Sequence, residues 1–251
     1  ASGLASASFD DVTVLPAVPY YYKVLAEDAE GNQAPISETV VGTAIGSSGV
    51  DGNFYLDDGD THVYANLESP WQVTNTAATA GTLSYHNGAD GATYPASTCA
   101  AMTTPSIQIQ PGASLDFKMK YNIEHGWDLL VLEVSTDGGG TWTSLAPNGG
   151  YPAAGTITNA GNACGYPVGT PAFGGSTSAT PADETAVASF QNFSASLAAY
   201  AGQSIKLRWR FSSDGGYEVA GAFIDEIRLS SDRIFFDGFE PANPAYMCTP
   251  M

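Results

Sequence analysis

"YNIEHGWDLLVLEVSTDGGGTWTSL", residues 121–145, decides the fold class. Its centre, Leu129–Val134, is a short apolar run rich in Leu and Val. Asp137-Gly138 closes the run, and Trp142 opens the next segment. A short apolar run bounded by turn residues reads as a strand, and Asp-Gly supplies the positive φ a tight hairpin needs. Asp137 therefore belongs to turn chemistry. The same holds for Asp214 in "SSDGG". Glu133 is expected to face outward from its strand. Glu124 and Asp128 flank "HGW" at the strand's start and are left without a structural duty.

Working outward, the same pattern repeats. "IKLRWRF" alternates cleanly: Ile205, Leu207, Trp209 and Phe211 on one face, Lys206, Arg208 and Arg210 on the other. "TTPSIQIQPGASLDFKMKYNIE" reads as two strands across a Pro-Gly turn, and "AGAFIDEIRLS" as the last strand. In "FIDEI", Ile224 and Ile227 cannot both face a core in strict alternation, so a bulge or strand end is expected there. The best helical candidate, "FSASLAAYAG" (Phe193–Gly202), is short. The chain reads as all-β, built of sandwiches.

The totals set limits. The 251 residues hold 26 acids against 8 bases, a net charge of −18. Nucleic acid and anionic membrane surfaces both need a basic patch, so neither is expected as partner. Bound cations fit. No run approaches the roughly 18 apolar residues of a membrane-spanning helix, so no membrane insertion is expected. The opening "ASGLASASFDD" reads like the interior of a longer protein, that is, a mature or processed fragment. Of three cysteines, none forms a CxxC pair. Cys99 and Cys164 both lie in loop-like sequence. In an oxidising compartment a bridge between them would close a loop of about 65 residues and stabilise by about 4 kcal/mol. Three buried thiols is the alternative. Cys248 is left over.

Four segments follow. Residues 1–45 hold "SFDDVTVL", "YYYKVLAED" and "ETVVGTA", three strands with a turn at "AEGNQAP". This stretch resembles the end of a fibronectin type III domain, with Pro16 and Tyr20 as its tyrosine corner. Period 2 would put Tyr20, Tyr22, Val24 and Ala26 on one face. The chain shows no counterpart to the first half of such a domain. An incomplete sandwich leaves an apolar face that a neighbouring subunit, the severed half or the following domain would cover. Residues 46–52 are a Gly/Ser-rich linker. Residues 53–231 form the large domain, and 232–251 a tail.

In the large domain, "YNIEHGWDLLVLEVSTDGGGTWTSL", "AAYAGQSIKLRWRFSSDGG" and "GAFIDEIRL" occur in that order. Together they resemble the MAM-like jelly roll at the C-terminal end of immune inhibitor A metallopeptidases. The resemblance implies a jelly-roll β-sandwich, accessory to many secreted bacterial proteins. It brings no peptidase. The chain has no HExxH, its histidines (His62, His86, His125) lack zinc spacing, and no GxSxG occurs. A Gly-rich phosphate loop before a helix is missing as well.

The acids admit three readings: a glycosidase-like pair at Glu124 and Asp128, a calcium site, or plain solvation. Acids are dense at "VDGNFYLDDGD" (Asp51, Asp57, Asp58, Asp60), at Glu124 with Asp128, and in "FIDEI" (Asp225, Glu226). The resemblance implies Asp225 and Glu124 as the metal positions. The expected ligand set is thus Asp225, Glu124, Asp128, Asp57, Asp58 and Glu226, with calcium as the ion. Trp127 and Trp142 could stack on a glycan or pack in the core. The tail's "RIFFDGFEP" resembles a short C-terminal motif of secreted gammaproteobacterial proteins. Phe235, Phe236 and Phe239 should dock on the same molecule or on a neighbour.

The expected function is a non-catalytic, secreted or cell-surface bacterial module for adhesion, assembly or stabilisation. Self-association would complete the broken sandwich at Tyr20 and Tyr22, as in an extracellular filament. An accessory region of a secreted hydrolase and a carbohydrate-binding module are the alternatives.

Overall fold

The computed structural model describes residues 19–28, 30–43, 54–60, 63 and 65–230. The expected first strand, Pro16, the linker, Asp51, His62, Cys248 and the tail with Phe235, Phe236 and Phe239 lie outside them. Among the described residues the strands are β1 Pro19–Tyr22, β2 Val40–Thr43, β3 Phe54–Asp57, β4 Asn66–Leu67, β5 Gln72–Thr74, β6 Ser84–His86, β7 Cys99–Thr103, β8 Ile107–Gln108, β9 Ser114–Ile123, β10 Leu129–Ser135, β11 Thr143–Ser144, β12 Gly175–Ser176, β13 Gln191–Ser196, β14 Ser204–Ser212 and β15 Gly221–Ser230. They fall into two units, with the division near Ser47.

The first unit contributes a hairpin. β1 and β2 pair antiparallel, Tyr21 opposite Val41 and Tyr20 opposite Gly42. Asp28 builds its turn, its Oδ1 accepting the amides of Glu30 and Asn32 at 3.0 and 2.8 Å. The strand stops at Tyr22, earlier than period 2 over residues 20–26 predicts. There the Val24 amide binds Ser37 Oγ (2.8 Å) and its carbonyl the Ser37 amide rather than continuing a regular ladder, and the Val24 side chain is exposed. Tyr21 is 70% exposed and Val41 54%.

The second unit is the sandwich. One sheet runs β11-β10-β14-β7-β4, with β8 also on β14. The other runs β12-β9-β15-β6-β5, with β13 on β9 and β3 on β15. Ile205, Leu207, Trp209 and Phe211 of β14 point into the interior, as their alternation demands. They meet Leu115, Phe117, Met119 and Tyr121 of β9. Phe117 and Trp209 cross edge-on at 5.2 Å between ring centres, a favoured aromatic geometry.

The outer face of β10 is covered too. The excursion between β11 and β12 folds Ile157, Ala172, Tyr151 and Tyr166 over Leu129 and Val131, a second small core. Glu133 does point away from the main core, but this excursion buries it. Its carboxylate accepts Arg208 Nε at 2.6 Å and the Tyr166 hydroxyl at 2.8 Å. Trp142 lies on this outer side under the Arg208 guanidinium, 4.1 Å from ring centre to Cζ.

Residues 193–202 differ from the helical expectation. Phe193 to Ser196 belong to β13, and only Ala198–Tyr200 makes a 3-10 turn. Phe193 is the reason: it stacks on Phe117, and Ala195 and Leu197 are buried in the same core, a strand's period. Among the described residues no helix is long and apolar enough to cross a membrane. Cys99 and Cys164 are joined by a disulfide, Cα atoms 5.0 Å apart.

Candidate metal centre

β9 belongs to one sheet and β10 to the other, so the chain must cross the sandwich between Ile123 and Leu129. Glu124 and Asp128 lie on that crossing. Gly126 makes it possible, with φ of +78°. Its carbonyl accepts the Thr158 and Asn159 amides, each at 3.0 Å. A Cβ here would sit 2.5 Å from Thr158 Oγ1. Asp214 leaves the end of β14, which is paired with β10. The three strands therefore deliver Glu124, Asp128 and Asp214 to one end of the sandwich. One carboxylate oxygen from each lies within 4.8 Å of the others.

Asp128 is only 1% exposed. Its Oδ2 accepts the Tyr94 hydroxyl at 2.6 Å and its Oδ1 the Asp214 amide at 2.7 Å. Tyr94 also accepts the Glu124 amide at 3.1 Å, so one phenol fixes both acids. Glu124 Oε2 is buried and receives no hydrogen bond. Burial raises the Glu124 carboxyl to about 7, helped by the negative charges of Asp128, Asp214, Glu184 and Glu218. Burial likewise raises Asp128 to about 6, against the lowering hydrogen bonds from Tyr94 and Asp214. Burial and Asp128 push the Tyr94 hydroxyl far above its ordinary range.

A buried carboxylate oxygen without a donor, among several acids, is costly unless a proton or cation compensates it. The donor set is all oxygen, the chemistry of calcium or magnesium rather than zinc. The residues thus fit a hard divalent cation.

Of the expected ligand set, Glu124 and Asp128 meet here. Asp225, Glu226, Asp57 and Asp58 are not at this centre. Asp225 pairs across from Lys118 of β9, six residues before Glu124, or about 20 Å along the strand. Asp57 pairs across from Ile227, beside it. The bulge required by "FIDEI" is present: the β9/β15 register shifts between Asp225 and Arg228, and Glu226 has φ of +52°. It turns Asp225 toward backbone amides, not toward Glu124. Asp225 accepts the Thr79 amide at 2.8 Å, Ala80 at 3.3 Å and Glu226 at 2.7 Å. Asp57 accepts the Tyr85 and Tyr55 hydroxyls and the Ala65 amide. Asp58 accepts the Asp60 amide at 3.0 Å.

One residue outside the expected set is present in the cluster. Asp214 joins the cluster while also keeping its turn role, accepting the Gly216 amide at 3.0 Å. Nothing local in "SSDGG" marks it, and nothing in "ATYP" marks Tyr94. Asp137 is a turn residue as read, bound by Ser135 and Thr141, and Thr141 holds its carboxyl well below the usual range. Trp127, between Gly126 and Asp128, is 38% exposed, and Tyr217, just beyond Asp214, is 54% exposed.

Residues 60–249 match the family described as "Immune inhibitor A-like, MAM domain". The chain belongs to that family. Among curated proteins none matches this MAM-like chain. Among solved structures it is similar to the K1 cleaved adhesin domain of Lys-gingipain from Porphyromonas gingivalis W83. Identity is 11% and the TM-score 0.39, over 72% of this chain and 100% of that one. It is also similar to a carbohydrate-binding module of the β-sandwich superfamily, at 12% identity and TM-score 0.33, over 84% of this chain and 73% of that one. A xylan-binding domain of carbohydrate-binding module family 22 aligns at 11% and 0.37, over 72% and 95%.

Proposed function

We propose that this MAM-like chain is a non-catalytic, secreted binding module for adhesion or assembly. Its jelly roll is stiffened by a calcium ion held by Glu124, Asp128 and Asp214. The observation that carries this reading is the buried, donorless Glu124 Oε2 within 4.8 Å of the other two acids' oxygens. A bound ion would tie the β9–β10 crossing to the end of β14, locking the two sheets together at that end.

A glycosidase role for Glu124 and Asp128 has the geometry against it. Asp128 is buried at 1% exposure, with the Tyr94 hydroxyl and the Asp214 amide on its two oxygens, which disfavours its approach to a sugar ring. The disulfide suits an oxidising compartment. The exposed cross-strand pair Tyr21 and Val41, with Val24 and Ile36 nearby in sequence, suits contact with a neighbouring subunit.

The test is native mass spectrometry with multi-angle light scattering, with and without EDTA. One bound calcium is expected, together with concentration-dependent self-association that Tyr21→Asp weakens. No calcium bound at millimolar free ion would refute the metal, and a monomer at about 100 μM, where any contact stronger than about −5.5 kcal/mol would show, would refute the assembly. A second reading, glycan binding, draws on exposed Trp127 and Tyr217 beside the acids, since exposed aromatic faces stack on sugars. A glycan array with no binding in calcium removes it.

A further inference from the structure

The segment 212–214, which delivers Asp214 to the acidic cluster, is held from two sides. On one side stands the loop before β7. Ser213 Oγ donates to the Pro95 carbonyl at 2.8 Å and accepts the Thr98 amide at 3.0 Å. The Ser213 amide returns a bond to the Thr98 carbonyl at 2.9 Å, and the Ser97 amide binds the Asp214 carbonyl. On the other side stands the loop at 162–164. The Ala163 amide donates to the Ser213 carbonyl at 2.9 Å, and the Cys164 amide to Ser212 Oγ at 2.9 Å. Ser212 Oγ in turn donates to Asn162 Oδ1 at 3.1 Å. These two loops are joined covalently by Cys99–Cys164. The bridge thus closes a ring around the three residues that end in Asp214.

We propose that the Cys99–Cys164 disulfide is the positioning element of the cation site, so that cation affinity and the bridge's redox state are coupled. This rests on the calcium reading above. With the bridge intact, Asp214 is held beside Asp128, its own amide on Asp128 Oδ1. With the bridge cut, the two loops are no longer tied to each other, their joint grip on 212–214 loosens, and Asp214 can leave the cluster. A site made of few ligands loses affinity steeply when one of them must first be ordered. Coupling is reciprocal: whatever factor reduction costs the ion, the ion returns in resistance to reduction.

The bridge is open to a dithiol reductant. Cys99 is exposed, and Arg210 Nη2 lies 3.2 Å from its sulfur. A dithiol's thiolate attacks Cys164 Sγ, the S–S bond breaks, and Cys99 leaves as a thiolate beside the guanidinium. The dithiol's second sulfur then displaces Cys164. The protein gains two thiols and the reagent becomes its cyclic disulfide.

The experiment measures calcium affinity by calorimetry on the full chain, oxidised and after dithiothreitol, with circular dichroism confirming the fold. In parallel, the bridge is equilibrated in dithiothreitol redox mixtures with EDTA or with saturating calcium. A Kd at least tenfold weaker after reduction is expected, and calcium should shift the dithiol–disulfide equilibrium toward the bridge by the same factor. Should reduction unfold the chain, the C99A/C164A variant, its fold checked by circular dichroism in calcium, serves instead, and a Kd at least tenfold weaker is expected. Equal affinity in both redox forms, or in that variant, with oxidised protein binding normally, overturns the coupling and leaves the calcium site standing. No calcium binding by the oxidised chain overturns both.

Discussion

The two ends of the β9/β15 pair each gather acids, and although burial raises Asp225 at one end as it raises Glu124 and Asp128 at the other, the two gatherings differ in how their oxygens are bonded. At the β3 end, Asp57, Asp60 and Asp225 are saturated with donors. Two tyrosine hydroxyls and an amide serve Asp57, three amides serve Asp225, and Thr82 and Leu83 serve Asp60. These carboxylates are fasteners that hold Ala65 and the loop 79–83 in place. At the Glu124 end, donors are fewer than oxygens, and acids face acids. The lesson is that acid count alone does not distinguish the two ends, whereas the ratio of carboxylate oxygens to N–H and O–H donors does, and that ratio is why the calcium proposal rests on the Glu124 end.

Removing a fastener should have the largest effect. Asp225→Ala strips an acceptor from three backbone amides, and each stranded donor costs about 1–3 kcal/mol, so a loss of about 3 kcal/mol or more is expected. Urea unfolding measures it, and the loss should be the same in calcium and in EDTA. A calcium-sensitive loss would mean that the two ends are not distinct.

Calcium itself comes next. At a hundred times its Kd it should stabilise the wild-type chain by about 2.7 kcal/mol. That corresponds to about 5–10 °C in Tm for a domain of this size. Thermal scans with and without EDTA decide this, and Glu124→Gln should abolish the shift. Gly126→Ala should cost about 1–2 kcal/mol, since alanine dislikes φ of +78° and its methyl would press on Thr158. It should also weaken calcium, unlike Asp225→Ala.

A pH series sharpens the contrast further. The folded carboxyls of Glu124 and Asp128 are raised to about 7 and about 6, above their unfolded values. Their contribution to the cation-free chain is complete below about pH 4 and is lost as pH rises through 6 to 7. Calcium competes with those protons, so its affinity should climb across the same window and level off near pH 8. A flat profile in EDTA would contradict the buried, charge-crowded picture. Smallest of all is Val187→Ser. Its side chain is 93% exposed, and the change should stay within about 0.5 kcal/mol in either buffer.

Much of this protein was legible from residues alone. Alternation in "IKLRWRF" and the Asp-Gly turn after "LLVLEV" required strands, because side-chain direction in a strand is set by local geometry. Ile224 and Ile227, both apolar and three apart, required the bulge for the same reason. Local rules failed where distant residues voted. "FSASLAAYAG" has helical propensity, yet Phe193 found Phe117 across the sheet and became a strand. Asp214 looked like a turn residue and is one, but its place beside Glu124 and Asp128 depends on β14 pairing with β10. Asp225 and Glu124 both looked like ligands, but the antiparallel register of β9 and β15 sets them about 20 Å apart. The sequence determined the all-β class, the strand faces and the bulge, since these depend on neighbours along the chain. Which acids meet, and which are already bound by amides, was decided only by the pairing of strands far apart in sequence.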